Sequence, residues 1–297
     1  MASLTTSRLS CPEMVDLEEI RQTIARETGT YPEASPLPVS GGCINEAFLL
    51  GDYFVKTNSP KRAGLFEAEL LGLSALQATD TIRVPRPLFS GATTNRAYLV
   101  LEQLALRPST ADSQERLGRE LAGLHRCSAT HFGWDRDNFI GTTPQPNPRL
   151  TSWISFLREH RLGHMLHLAR ECGHCFQGAD SLLDHLDHFF ENEPPASLLH
   201  GDLWGGNAGA LRDGTPVTFD PAVYFGDREA DLAMTMLFGG FTSSFHASYR
   251  EAWPLSPGHE NRFKLYNLYH VLNHTVLFGD SYAQQAQEMI NYLVERL

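Results

Sequence analysis

The chain contains no run of 18 consecutive apolar residues, which leaves no candidate for a membrane-spanning helix. Its start, Met1 to Met14, has no apolar stretch long enough for a secretory signal. That segment is rich in Ser and Thr, with one Arg and no acid before Glu13. It is read as a disordered tail over residues 1–15 in preference to a short transit peptide. Cysteine is sparse: five residues, an odd count, scattered except for Cys172 and Cys175. This excludes a disulfide framework and points to reduced thiols in a cytoplasmic protein. Basic residues are outnumbered, 24 Lys and Arg against 35 Asp and Glu, giving −11. That balance argues against nucleic acid as a partner, which needs clustered cations. It leaves room for an anionic ligand held by one local lysine. No repeat of 20–50 residues and no low-complexity tract is present, which excludes a solenoid.

What remains is an ordinary globular composition, 42% hydrophobic and 20% charged, over 297 residues. At about 150 residues per domain, two domains or two lobes are expected. Residues 16–28 carry a weak helical pattern, and the Pro-rich stretch Tyr31–Pro38 breaks it. A glycine-bearing turn, Ser40 to Asn45, leads into a hairpin of Ala47–Leu50 and Tyr53–Val55 around Gly51-Asp52. Leu65, Ala68, Gly72, Leu73 and Leu76 share one face of a helix predicted over Lys61–Gln77. Val84-Pro85-Arg86-Pro87 must be extended. Ala97–Leu101 reads as a buried strand, and Glu102-Gln103-Leu104 after it as the hinge between lobes. The β-rich first lobe is therefore placed at 16–104 and a mostly helical second lobe at 105–297, an α+β arrangement. The second lobe is predicted to hold a helix at Gln114–Cys127 and an irregular connection at Asp135–Pro148. Two helices follow within 151–190, then short strands at Ser197–His200 and Val217–Asp220. A helical region follows Asp227, with a helix at 260–278.

The segment His200-Gly201-Asp202-Leu203-Trp204-Gly205-Gly206-Asn207 carries the most chemistry. Asp202 leaves a short strand, four residues intervene before Asn207, and Asp220 ends a second apolar strand further on. Phosphoryl transfer uses such parts. One carboxylate orients or deprotonates the attacking hydroxyl, while an amide oxygen and a second carboxylate hold Mg²⁺ against ATP phosphates. The His-x-Asp-x₄-Asn spacing is that of kinase catalytic loops, with Gly201 in place of Arg. An Asx-capped surface turn would use the same residue types. The strand before the loop and Asp220 after it weigh against that reading.

A kinase also needs a glycine-rich loop, a strand lysine and a helix glutamate, and candidates occur in that order. Gly41 and Gly42 permit close approach of backbone to phosphate. Lys56 ends the strand Tyr53-Phe54-Val55, and Glu69 sits on the apolar face of its helix, where it needs a cation. Glu67 is the alternative partner for Lys56. Each feature alone is commonplace, and their joint order carries the argument.

The segments His200–Asn207, Thr218-Phe219-Asp220-Pro221-Ala222 and Tyr224–Met234 resemble the fructosamine kinase, or ketosamine-3-kinase, family. So do Gly41–Asn45, Phe54-Val55-Lys56, Val84–Pro87 and Thr142–Asn147. The resemblance covers residues 16–297. It implies a two-lobed protein-kinase-like fold with ATP between the lobes. The activity implied is phosphorylation of the 3-hydroxyl of small or protein-bound ketosamines. It makes Asp202 the proton acceptor, Lys56 a phosphate ligand, Glu102, Gln103 and Leu104 the adenine hinge, and Asn207 and Asp220 the Mg²⁺ ligands. A kinase of another hydroxylated amine, of choline or aminoglycoside type, is the first rival. A non-catalytic nucleotide-binding redox module is the second.

Trp204 is either a platform for sugar or amine, or packing beneath the loop. Asp227 is a candidate for a substrate cation. Asp231 is read instead as an acceptor for the catalytic-loop backbone. His164, His167, His185 and His188 lie near Cys172 and Cys175 in sequence, but their ligand spacing spans several helices and is read as ordinary surface and core histidine. The sequence leaves monomer or dimer open, with a redox-dependent state conceivable through Cys43.

Cys43 follows Gly41-Gly42, where backbone N–H groups favour the thiolate, and family members carry a cysteine there. Mild oxidation is expected to lower activity or crosslink chains of the wild type and to spare Cys43→Ala. Equal inactivation of both would remove the redox role.

Overall fold

The computed structural model describes residues 11–39 and 44–297. The chain divides into two units, one running through Leu70 and adding Arg86–Leu104, the other comprising Leu71–Pro85 and Ala105–Leu297. Among the described residues no helix is long and apolar enough to cross a membrane.

The first unit is a helix on a five-stranded antiparallel sheet. Helix α1 (Cys11–Thr28) precedes β1 (Leu37–Val39), β2 (Glu46–Leu50) and β3 (Tyr53–Asn58). Helix α2 (Ala63–Ala78), β4 (Pro87–Ala92) and β5 (Ala97–Glu102) follow. The strand order is β1-β2-β3-β5-β4. Ile20 and Ile24 of α1 pack on Leu50, Val55, Tyr98 and Val100 of the sheet. The expected tail over 1–15 is thus corrected, because residues 11–15 already belong to α1.

The dividing line falls inside α2, so 71–85 differs from the expected lobe of 16–104. The reason lies in contacts beyond Leu70. A Cβ on Gly72 would sit 3.3 Å from the Val223 side chain. Thr218 N donates to Arg83 O at 3.0 Å. This stretch is therefore stitched to the segment that follows Val217.

The second unit opens with α3 (Ala111–His125), started by a capping box in which Thr110 and Ser113 satisfy each other's backbone N–H. Next come β6 (Ser128–Ala129), β7 (Asn138–Ile140) and β8 (Thr143–Gln145). The expected irregular connection over 135–148 is in fact the β7–β8 hairpin, turned by Gly141 at φ +61° and Thr142. Two helices were expected in 151–190. The chain instead forms α4 (Trp153–Leu157), a π-helical turn at 158–162, α5 (Gly163–Glu171) and α6 (Ala179–Asp184). Then follow β9 (Ala196–Leu199), β10 (Ala208–Ala210), β11 (Pro216–Thr218) and β12 (Tyr224–Gly226). Strand β9 lies between β12 and β6, and β10 pairs with β11. The unit ends in α7 (Glu229–Leu237), α8 (Ser243–Ala252), α9 (His259–Phe278) and α10 (Asp280–Val294). Its core gathers around Trp153, Phe156, Leu199, Tyr224 and Tyr266.

Arg262 of α9 is buried against Glu229 of α7, with N···O distances of 2.7 and 3.0 Å. Its remaining donors reach the carbonyls of Phe189, Ser256 and Pro257. Removing one partner strands the other charge away from water. Glu229→Ala is expected to cost about 3–5 kcal/mol, read by urea denaturation. A loss below about 1 kcal/mol would mean the carbonyls alone satisfy the guanidinium.

Candidate active site

In the first unit, Lys56 lies mid-sheet, opposite Ala47 of β2 and Leu99 of β5. Its Nζ donates to Glu69 Oε1 at 2.6 Å, and the two side chains are 8% and 13% exposed. A lysine this enclosed requires a counter-charge, and α2 supplies it. Glu67 is exposed, which decides between the two glutamates. Glu102 closes β5, its N–H donating to Arg86 O at 3.0 Å. Gln103 N donates to Asp52 O at 2.9 Å, leaving the Gln103 side chain exposed and Leu104 half-buried. Gly41, Gly42 and Cys43 lie outside the described residues.

In the second unit, β9 delivers His200-Gly201-Asp202 from the core. His200 is fully buried. Its Nε2 faces Phe219 O at 3.1 Å, and its Nδ1 accepts from Asp202 N at 3.3 Å. These contacts fit one neutral tautomer, and burial lowers the His200 pKa accordingly. Gly201 has φ +81°, and a Cβ there would fall 2.0 Å from Ala222 O. Glycine is the residue this turn admits.

Asp231, on α7, accepts from His200 N at 2.7 Å and Gly201 N at 2.8 Å. His125 Nε2 reaches the same carboxylate at 3.1 Å, and Tyr249 Oη faces His125 Nδ1 at 2.8 Å. Burial alone would raise the Asp231 pKa, but the bonds from His125 and Gly201 and the field of His200 outweigh it, and the pKa falls. The backbone-holding reading of Asp231 is the one this geometry supports. His125 escaped sequence reading because a histidine in a helix's last turn is commonplace.

Asp202 is half-buried. Lost hydration, then the neighbouring Asp220 charge, push its pKa up to about 7, against the Asn207 hydrogen bond that lowers it. Asn207 Nδ2 donates to Asp202 O at 2.9 Å and to Asp202 Oδ2 at 3.1 Å. Asp220 lies past the end of β11 rather than within it, exposed, with φ +57°.

Trp204 is 39% exposed and meets Phe238 edge-on, with ring centroids 6.4 Å apart. Asp227 does not fit the expected contact with a substrate cation. It is 5% exposed, and its oxygens accept from Tyr266 Oη at 2.5 Å and Glu229 N at 3.0 Å. It caps α7 from inside the core. The histidines near Cys172 and Cys175 have separate neighbours: His164 meets Pro144 O, His167 meets Glu171, His185 meets Ser181 O, and His188 packs its ring against that of His185.

These two constellations have the residue types and the order of a protein-kinase-like phosphotransferase. The chain belongs to the fructosamine kinase family, whose model matches residues 16–296, and it is an ATP-dependent kinase of that family. It is 46% identical over 280 residues to the probable ketoamine kinase of Synechocystis sp., covering 92% of this chain and 95% of the relative. It is 39% identical to the chloroplastic protein-ribulosamine 3-kinase of Oryza sativa subsp. indica, over 96% of this chain and 86% of that one. A solved structure of a candidate fructosamine-3-kinase from Haemophilus somnus superposes with a TM-score of 0.86 at 32% identity, covering 92% of this chain and 96% of that one.

Strand and helix meet through Lys56 and Glu69, so their energies should not be independent. In the cycle of Lys56→Met and Glu69→Gln, a coupling of about 0.5–3 kcal/mol in unfolding free energy is expected. Additive single losses would show that the pair does not interact.

Proposed function

We propose that this kinase transfers the γ-phosphoryl group of Mg·ATP to the 3-hydroxyl of a ketosamine, free or protein-bound, and so serves the repair of glycated amines. The observation that carries this is the Asp202–Asn207–Asp220 constellation. A half-exposed carboxylate is held on a loop whose backbone is fixed by Asp231. The family and the ribulosamine 3-kinase name of the rice relative support the acceptor class.

Asp202 orients the acceptor hydroxyl and takes its proton. The hydroxyl oxygen forms a bond to γ-phosphorus as the bond to the β,γ-bridging oxygen breaks, and ADP leaves with that electron pair. The donor set for magnesium fits. Asn207 spends its nitrogen on Asp202, which leaves its oxygen for a cation, and Asp220 adds an exposed carboxylate. The field of Asp220 at Asp202 is also what a cation there would offset. When bound, Mg²⁺ supplies charge neutralisation for the phosphates. Lys56 binds nucleotide phosphate, and the backbone of 102–104 meets adenine. Trp204, partly exposed two residues beyond Asp202, offers an aromatic face to sugar or amine.

Asp202→Asn is expected to lower kcat by about 10²–10⁴-fold while ATP still binds, measured by ADP release with ribulosamine and fructosamine acceptors. Near-wild-type turnover in the folded variant would overturn the assignment. Turnover of choline or an aminoglycoside, with none on ketosamines, would replace the acceptor class.

A further inference from the structure

The hairpin β7–β8 ends in Gln145-Pro146-Asn147, a stretch the reaction leaves without a role. Four polar side chains gather there inside the core of the second unit: Asn138, Gln145 and Asn147, at 5%, 0% and 2% exposure, and Arg161 at 1%. Arg161 stands in the π-helical turn between α4 and α5. Its guanidinium lies over the rings of Tyr224 and Phe156, at 3.9 and 4.5 Å.

The hydrogen bonds among them have a fixed direction. A guanidinium only donates. Arg161 Nη2 donates to Asn147 Oδ1 at 2.7 Å, so the Asn147 nitrogen must face the other way. It donates to Asn138 Oδ1 at 2.8 Å. The same oxygen accepts from Gln145 Nε2 at 2.7 Å. The Asn138 nitrogen is thereby turned to Val223 O, at 2.7 Å. Gln145 Nε2 also reaches Ala222 O at 3.2 Å, while its oxygen accepts from Tyr269 Oη at 2.7 Å. Two amides thus grip two consecutive carbonyls.

Those carbonyls follow directly on Asp220-Pro221. The Ala222 peptide also touches the catalytic loop. Its N–H donates to His200 O at 2.8 Å, and its oxygen lies where a Cβ of Gly201 would be. Ala222 is where the Asp202 loop and the Asp220 loop lean on each other. An apolar side chain would fill the place of Arg161 without the desolvation its charge suffers. Its Nε has no hydrogen-bond partner among the described residues. What the arginine adds is direction.

We propose that Gln145 and Asn138 are positioning residues of the phosphoryl-transfer centre, holding the Ala222 and Val223 carbonyls and so the spacing of Asp220 from Asp202, and that Arg161 sets the orientation of both amides through Asn147. The inference rests on the assignment of Asp202 and Asp220 made above.

Asn147→Asp separates positioning from folding. The carboxylate still accepts from Arg161 and gives it a counter-charge, so Tm should hold or rise. It has no proton for Asn138, whose amide then turns and releases Val223 O. Asn147→Asp and Gln145→Ala are each expected to lower kcat by about 10–100-fold. KM for ATP and for the ketosamine should change by less than about three-fold. Hydrogen exchange should quicken in the segments 198–203 and 219–226. Arg161→Lys, which keeps a donor, should retain more activity than Arg161→Met. Wild-type kcat in either amide variant would overturn the inference, as would activity losses that track Tm with exchange raised uniformly. If Asp202→Asn is inactive while Gln145→Ala is fully active, this inference falls and the assignment stands. If Asp202→Asn is active, the assignment falls.

Discussion

The carboxylate of Asp231 is the point on which the second unit turns. It is a buried anion that accepts two backbone N–H groups, of His200 and Gly201, and a histidine N–H. A charge so placed is costly unless every lone pair is engaged, so the loop cannot leave without exposing that cost. The placement of Asp202 therefore depends on the anion behind its loop as well as on its own bonds with Asn207 and His200. Tyr249 and Arg228 extend the support outward, since Arg228 Nη1 donates to Tyr249 Oη at 3.1 Å and to Trp253 O at 3.3 Å.

The first unit solves a similar problem with the opposite sign. Lys56 is the buried charge and Glu69 the group that accommodates it. The lysine is held by a sheet on both sides and the glutamate by a helix, so the pair fixes helix against sheet as well as charge against charge. In each unit a buried charge is matched by donors or a counter-charge from another element: Glu69 for Lys56, and backbone N–H groups with His125 for Asp231.

Much of this was legible in the sequence because the chemistry is local. The His200–Asn207 spacing, Asp220 and the strand lysine are read from a few consecutive residues each. Glu69 rather than Glu67 was legible as the partner of Lys56 from the apolar face it shares, since a two-residue difference on a helix swings a side chain by more than half a turn. The hairpin Asn138–Gln145 was hidden by its Pro and Asn content, which signals a loop when strands are short. Residues 71–85 changed unit because Gly72 and Arg83 meet partners more than a hundred positions away. His125 was silent for the same reason, and Arg161 because a charged residue is ordinarily read as exposed although its hydrogen-bond partners are near in sequence. The importance of both lies in what the fold brings to them, and Asp227 was read as a substrate contact because its buried partner Tyr266 comes from another helix, 39 residues on.

Asp220 sits at φ +57°, a backbone state that most side chains resist and that glycine, asparagine and aspartate accept. Of these three, one carries a negative charge. The backbone thus filters the substitutions open to this position before the reaction does. A change to glutamate keeps the charge but loses the conformation, and a change to glycine or asparagine keeps the conformation but loses the charge. On the proposed role of Asp220, a lineage of such chains that lets this position drift to glycine or asparagine would keep the turn and give up the negative charge beside Asp202.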